Sequence, residues 1–346
     1  MSSLGGETTS CSKCGSALGP HDLDCPRCGE PRVDDRTLMR REAVTPAPEV
    51  LNGKWKMERE LGHGGMGSVH LATDLQLDRQ VAIKTLAANL SANEEVRTRF
   101  EREAKMMAKL DHPNLVPIYE VGRKGELPYI VMKFLEGETL GDALKRRGPL
   151  PVEEVGAIVK QVCAGLAFVH GKGFVHRDIK PANIFLSPDG HVTILDLGVA
   201  HDTSSHHTKT GMVIGTPRYM SPEQILGRKV DLRSDLYAVG TVLFELLTGS
   251  PVFGGDSDFS VMKSHAEVEP PDPSELSAAV SPSVSAVVRR ALAKDPAARF
   301  QSAQELSAAF LAAVQGTLAP AYETPARQPA APTRPALAPT RTVAPR

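Results

Sequence analysis

Apolar residues recur with the spacing of an amphipathic helix in two parts of the chain. In the first, residues 97–108, the apolar positions are Phe100, Ala104, Met107 and Ala108. In the second, they are Val155, Ile158, Val159, Val162, Leu166 and Val169. Spacings of three and four residues place such side chains on one face of a helix. The pattern therefore predicts two helices with one buried face each, and Cys163 on the second is predicted to be a small buried residue.

Strand patterns come mostly before the first of these helices, and helical patterns come mostly after it. Residues 69–72 alternate apolar with small or polar side chains, and residues 81–84 form a short apolar run that ends in Lys84. This order predicts an α+β fold in which a small strand-rich part precedes a larger helical part. The segment 54–314 has the length of an ordinary enzyme with two lobes.

The stretch 176–183, His-Arg-Asp-Ile-Lys-Pro-Ala-Asn, contains the groups that phosphoryl transfer to a hydroxyl requires. The Asp178 carboxylate can accept the proton of an attacking hydroxyl, and Lys180 can neutralise charge on the transferred phosphate. The amide oxygen of Asn183 can hold a divalent metal. These three residues are the first catalytic candidates.

A glycine-rich stretch, residues 62–69, has the spacing G-x-G-x-x-G-x-V. Glycines at these positions let the backbone lie close over phosphates, which side chains would obstruct. The same spacing also occurs in dinucleotide-binding folds, where it joins a strand to a helix. Here a strand pattern follows the glycines, which favours a hairpin that covers the phosphates.

These motifs, in this order, resemble those of the protein kinases, and Lys180 resembles the serine/threonine branch. The chain is identified as similar to the bacterial eukaryotic-like (Hanks-type) serine/threonine protein kinases, and its fold is expected to be the two-lobed protein kinase fold. The resemblance implies a non-specific serine/threonine protein kinase that transfers the γ-phosphoryl group of ATP to protein hydroxyls, with Mg²⁺ or Mn²⁺. Asp196-Leu-Gly resembles the metal-binding triplet, with Leu where the family usually has Phe.

The resemblance also implies roles for further residues. Lys84 would bind the α- and β-phosphates, and Glu103 on the first predicted helix would orient Lys84 through an ion pair. Asn183 and Asp196 would hold Mg²⁺. The nucleotide-binding positions that the family implies are Leu61, Gly62, Gly64, Gly67, Val69, Ala82, Lys84, Met132, Lys133, Leu135, Phe185, Asn183 and Asp196.

Two more carboxylates are implied to be structural rather than catalytic. Glu223, in Ser-Pro-Glu where the family usually has Ala-Pro-Glu, would pair with Arg299. Asp235 would brace the backbone of the stretch 176–183.

The segment between residues 199 and 223 resembles an activation loop. Thr208 and Thr210 align with threonines that are autophosphorylated in bacterial kinases of this type, and Arg177 would bind the phosphate through charge and hydrogen bonds. Thr216 would bond to Asp178 and Lys180. A homodimer that autophosphorylates in trans is a further expectation from the resemblance alone.

Four cysteines near the N-terminus form two C-x-x-C pairs, which are Cys11 with Cys14 and Cys25 with Cys28. Four thiolates can hold a structural Zn²⁺ in tetrahedral geometry, although such pairs can also form disulfides or a redox centre. No signal peptide precedes them, and a kinase needs cytoplasmic ATP, so a reducing compartment favours zinc. We interpret residues 11–30 as a zinc-ribbon-like module, and its preferred binding partner is another protein.

Composition predicts the remaining parts. Residues 1–10 and the Pro- and Ala-rich tail 315–346 are expected to be disordered, and residues 31–53 are expected to be a linker. No apolar run reaches 18 residues, so no membrane span is expected in this chain, although it could be a piece of a longer protein. The net charge of −1 argues against general binding of nucleic acids.

Two alternatives to an active protein kinase are open at this point. A pseudokinase scaffold is disfavoured because Lys84, Asp178, Asn183 and Asp196 are all present. A small-molecule kinase is disfavoured because the long activation loop and residues 216–219 resemble machinery for protein substrates.

Overall fold

The computed structural model describes residues 9–10, 16–18, 49–64, 67–125, 127–196 and 217–317. The chain divides into two compact units. The smaller unit holds residues up to 59 together with residues 72–79, and the larger unit holds residues 60–71 and all residues from 80 onward.

The smaller unit is built from short antiparallel strands. Strand β1 (Thr9–Ser10) pairs with β2 (Ala17–Leu18), and β3 (Val50–Leu51) pairs with the first residues of β4 (Trp55–Gly64). The indole of Trp55 is buried.

The larger unit has a strand-rich part at its beginning. Its strands are the end of β4, the first part of β5 (Gly67–Asp74), nearly all of β6 (Arg79–Leu86), β7 (Ile118–Lys124) and β8 (Leu127–Lys133). Strand β8 lies between β6 and β7 and is antiparallel to both. The middle of β8 is buried along its whole length, because its apolar run faces neighbours on both sides of the sheet.

A second, three-stranded sheet lies in the chain between Asn183 and Asp196, with one further strand from an earlier segment. Its strands are β9 (Glu138–Thr139), β10 (Ile184–Leu186) and β11 (Val192–Ile194), and β10 lies in the middle with antiparallel partners. Strand β10 begins directly after Asn183, and β11 ends two residues before Asp196. The sheet therefore connects the two candidate metal-binding positions.

Most of the regular secondary structure described in the larger unit is helical. They are α1 (Ala88–Ser91), α2 (Glu94–Met107), α3 (Leu140–Arg147), α4 (Val152–Gly171), α5 (Pro222–Ile225), α6 (Leu232–Thr248), α7 (Asp258–Glu267), α8 (Pro273–Leu276), α9 (Pro282–Ala291) and α10 (Ala303–Val314). Polar residues begin several of them: the Asn93 side chain accepts hydrogen bonds from the first turn of α2, and Asp231 does the same for α6.

The core of the larger unit surrounds α4 and α6. Helix α4 packs against α6 and α10, and α9 packs against α6 and α10. Helix α6 is apolar on nearly all sides, which is the pattern of a helix buried within a core.

The structure confirms the two helices that apolar spacing predicts, with one correction. Phe100, Ala104 and Met107 are buried on α2, and the six predicted apolar positions of α4 are buried with Cys163. Ala108 is exposed, because α2 ends at Met107 and Ala108 is its C-terminal cap rather than part of the buried helical face. Among the described helices, none is long and apolar enough to cross a membrane.

Candidate active site

The side chains of the stretch 176–183 converge on one carboxylate. Asp178 Oδ2 accepts hydrogen bonds from Lys180 Nζ at 2.7 Å and from Asn183 Nδ2 at 2.8 Å. The Asn183 amide nitrogen also donates to the Asp178 carbonyl oxygen at 2.9 Å. A short 3₁₀ turn, Pro181–Asn183, makes this possible by folding Asn183 back over Asp178. The three catalytic candidates therefore lie within hydrogen-bond distance of one another.

Asp235 on α6 holds the backbone of this stretch, as predicted. Its carboxylate accepts the N–H groups of His176 at 2.8 Å and Arg177 at 2.7 Å. It also accepts a third hydrogen bond, from Nε2 of His170 at 2.7 Å. The contribution of His170 was not predicted, because nothing in the local pattern at the end of α4 distinguishes it from a surface histidine.

Lys84 extends from β6 to the end of β11. Its Nζ lies 2.9 Å from Asp196 Oδ2, in a largely buried setting. Burial is the largest influence on Lys84 and would lower its pKa, but Asp196, together with Glu103 and Asp178, outweighs burial and raises the pKa. Burial would likewise raise the pKa of Asp196, but Lys84, together with His176 and Lys180, outweighs burial and lowers the pKa. Both groups are therefore charged near neutral pH.

Glu103 does not form the predicted ion pair with Lys84 in this structure. Among the residues that the structure describes, Lys84 pairs with Asp196 and not with Glu103. Burial raises the pKa of the Glu103 carboxyl to about 8, and the attraction of Lys84 does not offset this rise. Glu103 is therefore mostly protonated at pH 7 in this arrangement, in which Lys84 pairs with Asp196. The neighbouring Glu101 points away from this site and pairs with Arg123 on β7.

The described part of the glycine-rich stretch lies on two neighbouring strands rather than between a strand and a helix, as predicted. Gly62 and Gly64 lie at the end of β4, and Gly67 begins β5. Gly67 has φ of +152°, and a Cβ there would lie 1.9 Å from the Thr85 carbonyl oxygen. Glycine is required at this position because β5 approaches the backbone of β6 so closely. A Cβ at Gly62 would meet no atom within 4 Å.

Some of the predicted nucleotide-binding residues share one hydrophobic cluster. Ala82 on β6 lies directly opposite Met132 on β8, both are buried, and Val69 and Leu135 pack against the same cluster. Phe185 is half-buried on β10, whereas Leu61 is 37% exposed. The Lys133 side chain is exposed, and its N–H donates to the Pro117 carbonyl oxygen at 3.0 Å.

The donor groups at the predicted magnesium position fit this ion. Mg²⁺ prefers oxygen ligands, and Asp196 offers a carboxylate that remains ionised near neutral pH. The nitrogen of the Asn183 amide is bound to Asp178, which leaves its oxygen available as a ligand.

The predicted pair of Glu223 and Arg299 is present and buried. Two guanidinium nitrogens of Arg299 lie 2.8 Å from the two carboxylate oxygens of Glu223. Arg299 is fully buried, and Glu223 is 4% exposed. This pair links the short helix α5 to the turn before α10.

Several predicted positions lie outside the described residues. They are Cys11, Cys14, Cys25, Cys28, Leu197, Thr208, Thr210 and Thr216. In the described parts of the chain, no group of three or more His, Cys, Asp or Glu side chains could hold a metal ion.

Comparison with known proteins identifies the family to which this fold belongs. Residues 55–311 match the family model "Protein kinase domain". The chain belongs to the protein kinase family. This confirms the predicted protein kinase fold and the prediction of a protein kinase.

The named relatives are serine/threonine kinases. The chain is 43% identical to serine/threonine-protein kinase PknB of Mycolicibacterium smegmatis over 276 residues, which are 78% of this chain and 44% of that protein. It is 43% identical over 268 residues to serine/threonine-protein kinase PksC of Streptomyces coelicolor, covering 74% of this chain and 48% of that protein. The match therefore spans less than half of these relatives' own length.

A solved structure supports the same fold. The crystal structure of the PknI kinase domain of Mycobacterium tuberculosis aligns with a TM-score of 0.65 and 29% identity. The alignment covers 79% of this chain and all of that one.

Proposed function

We propose that this protein is a serine/threonine protein kinase that transfers the γ-phosphoryl group of Mg-ATP to Ser or Thr hydroxyls of protein substrates. The observation that carries the proposal is the convergence of Lys180 and Asn183 on the Asp178 carboxylate, at 2.7 and 2.8 Å. The named relatives are serine/threonine kinases, which supports the same choice of substrate class.

In the proposed reaction, Asp178 orients the substrate hydroxyl and accepts its proton. The hydroxyl oxygen forms a bond to the γ-phosphorus as the bond to the β-phosphate oxygen breaks, and ADP leaves. Lys180 stabilises charge on the transferred group, and Lys84 positions the α- and β-phosphates. The glycine hairpin covers the phosphates and excludes water.

Asn183 and Asp196 would hold Mg²⁺, which when bound neutralises charge on the nucleotide phosphates. In this structure Lys84 Nζ lies 2.9 Å from Asp196 Oδ2, so Lys84 and the proposed Mg²⁺ would both contact this carboxylate. A lysine with a raised pKa remains a cation there, as phosphate binding requires.

The direct test is transfer of labelled phosphate from Mg-[γ-³²P]ATP to the purified protein, with the Lys84→Met variant alongside and the phosphorylated residues mapped. Label in the wild type alone would support the proposal. ATP binding without any label, on itself or on a generic Ser/Thr substrate, would instead support the pseudokinase scaffold.

Autophosphorylation of Thr208 or Thr210 is part of the proposal. Arg99, Arg102 and Arg177 line a cavity of about 870 Å³ beside α2, together with Glu94, Glu95 and Glu103. Arginine side chains bind phosphate groups through charge-assisted hydrogen bonds, so these three arginines are the proposed contacts of a phosphothreonine. Mass spectrometry after incubation with Mg-ATP would contradict this part if both threonines were unmodified.

The N-terminal cysteines are proposed to hold a structural Zn²⁺ in a zinc-ribbon-like module. Strands β1 and β2 pair on the two sides of residues 11–16, which include Cys11 and Cys14, and a hairpin is the usual setting of such a pair. A protein partner for the module, a homodimer and a cytoplasmic location with its ATP supply belong to the same proposal.

A further inference from the structure

Arg177, the residue before Asp178, has a backbone conformation that its side chain disfavours. Its φ is +68°, in the left-handed region that residues other than glycine rarely occupy. Such a conformation persists only where the surrounding structure holds it. Asp235 holds the N–H group of Arg177 at 2.7 Å. A second group is needed to hold the peptide on the other side of this residue.

Gln224 supplies that second contact. Its Nε2 donates to the Arg177 carbonyl oxygen at 3.0 Å, across 47 positions of sequence. This carbonyl belongs to the peptide plane that joins Arg177 to Asp178. The N–H of the same plane, on Asp178, donates to Nδ1 of His176 at 3.3 Å. The plane is therefore held at both of its polar groups.

The orientation of the Gln224 amide is determined by its other contacts. Its oxygen accepts the N–H and the Oγ–H of Ser221, each at 3.0 Å. Two donors on the oxygen leave the NH₂ group to face Arg177. Gln224 is 5% exposed, so water does not readily replace either contact.

We infer that Gln224 is a positioning residue for the catalytic carboxylate, and this inference rests on the proposed kinase function. By fixing the peptide plane between Arg177 and Asp178, it sets the direction in which the Asp178 side chain leaves the backbone. It also couples the end of the activation segment to the catalytic stretch. The competing explanation is that Gln224 only caps the short helix α5 through Ser221.

Three variants separate these two roles. Gln224→Glu keeps an oxygen that accepts from Ser221 but replaces the donor that faces Arg177 with an acceptor. Gln224→Met has similar length and neither hydrogen-bonding group. Ser221→Ala removes the hydroxyl from the cap and leaves the contact between Gln224 and Arg177 in place. The readouts are kcat, the KM for ATP and amide hydrogen exchange of residues 174–180.

The expected result is a kcat lower by roughly tenfold in both Gln224 variants, as for one buried hydrogen bond to a positioned group. The KM for ATP should stay within about twofold, because no nucleotide contact is lost. Exchange of residues 174–180 should be faster in both variants, and Ser221→Ala should match the wild type in kcat and exchange.

Wild-type kcat and exchange in folded Gln224→Glu and Gln224→Met would overturn the inference. So would a Ser221→Ala variant that loses as much kcat as they do, because the cap alone would then explain the effect. If Gln224→Glu does not fold, Gln224→Met decides by the same readouts. If the wild type transfers no phosphate, the proposed function fails, and hydrogen exchange alone decides whether Gln224 holds the backbone.

Discussion

Asp178 has partners that suit a base rather than a simple ion pair. Lys180 and Asn183 both donate to the same carboxylate oxygen, Oδ2. Both side-chain hydrogen bonds from described residues to this carboxylate reach Oδ2, and we expect Oδ1 to contact the substrate hydroxyl. One carboxylate oxygen would thus position the Asp178 side chain, and the other would contact the substrate.

Replacing Asp178 with Asn should remove the base and keep the fold. We expect kcat to fall by about 10²- to 10⁴-fold, the usual contribution of a general base, with ATP affinity nearly unchanged. Steady-state phosphorylation of a Ser/Thr peptide and a nucleotide-binding titration would check this. Asp189→Asn, on an exposed turn, is the matched control and should retain activity. Full activity in Asp178→Asn would refute the assignment.

Glu103 should make the stability of the nucleotide-free protein depend on pH. Its pKa is about 8 in the folded protein against an ordinary 4.5. Between these values the unfolded chain has released the proton that the folded protein retains, so the free energy of unfolding decreases as the pH rises. The decrease is at most about 1.4 kcal/mol per pH unit and ends above pH 8.

Glu103→Gln, which cannot ionise, should lack this loss of stability. Urea unfolding of the wild type and the variant from pH 6 to 9.5, without nucleotide or Mg²⁺, would measure the difference. Glu101→Gln on the same helix is the control, because Arg123 and other neighbours lower the pKa of Glu101 and no change is expected above pH 6. Parallel curves for wild type and Glu103→Gln would contradict the assigned pKa.

At the level of elements, the buried ion pair of Glu223 and Arg299 connects α5 to the helical core. Arg299 also donates to the carbonyl oxygens of Ala293 at 2.7 Å and of Arg233 and Lys294 at 3.0 Å. Burial alone would raise the pKa of Glu223, but the hydrogen bonds from Arg299 lower it. The stability from this pair is therefore present above pH 4.5 and is lost as the pH falls below it.

Arg299→Leu should leave the Glu223 carboxylate buried without its partner. We expect the free energy of unfolding to fall by about 3–5 kcal/mol. Arg146→Ala removes the exposed partner of Glu138 and should leave the free energy of unfolding almost unchanged, because solvent screens this pair. Urea denaturation of both variants tests the contrast, and equal losses would show that burial is not what gives the Arg299 pair its strength.

Elements with a strong local signal could be predicted from the sequence, whereas long-range pairings could not. The spacing of Phe100, Ala104 and Met107 is enough to predict α2, because a helix buries a face with that period. The contact from Gln224 to Arg177 crosses 47 positions and leaves no periodic trace. The contact of Lys84 with Asp196 and not with Glu103 depends on the position of each carboxyl in the fold, which sequence alone does not contain.

At the scale of the whole molecule, the chain contains a kinase domain and an N-terminal segment with four clustered cysteines. The family match begins at residue 55, after all four of the clustered cysteines. A small module held by zinc has too little apolar surface to fold without its metal. The two parts should therefore respond differently to chelators.

Metal analysis of the purified protein should find one zinc per chain. The double variant Cys11→Ser and Cys25→Ser should contain none, and Cys163→Ala should still contain one. EDTA treatment of the wild type should leave the main thermal unfolding transition of the kinase domain within about 2 °C, because no kinase core residue is a ligand. A metal-free protein whose N-terminal thiols are oxidised would instead indicate disulfides.

The burial of Cys163 has a practical consequence for labelling chemistry. It lies 1% exposed on α4, and burial raises the pKa of its thiol to about 12. Since only the thiolate attacks maleimides and haloacetamides, roughly one molecule in 10⁵ is reactive there at pH 7. The other four cysteines all precede residue 29. Once these four are replaced, the one remaining cysteine, Cys163, hardly reacts with these reagents. One introduced cysteine then places a single fluorophore without altering the core.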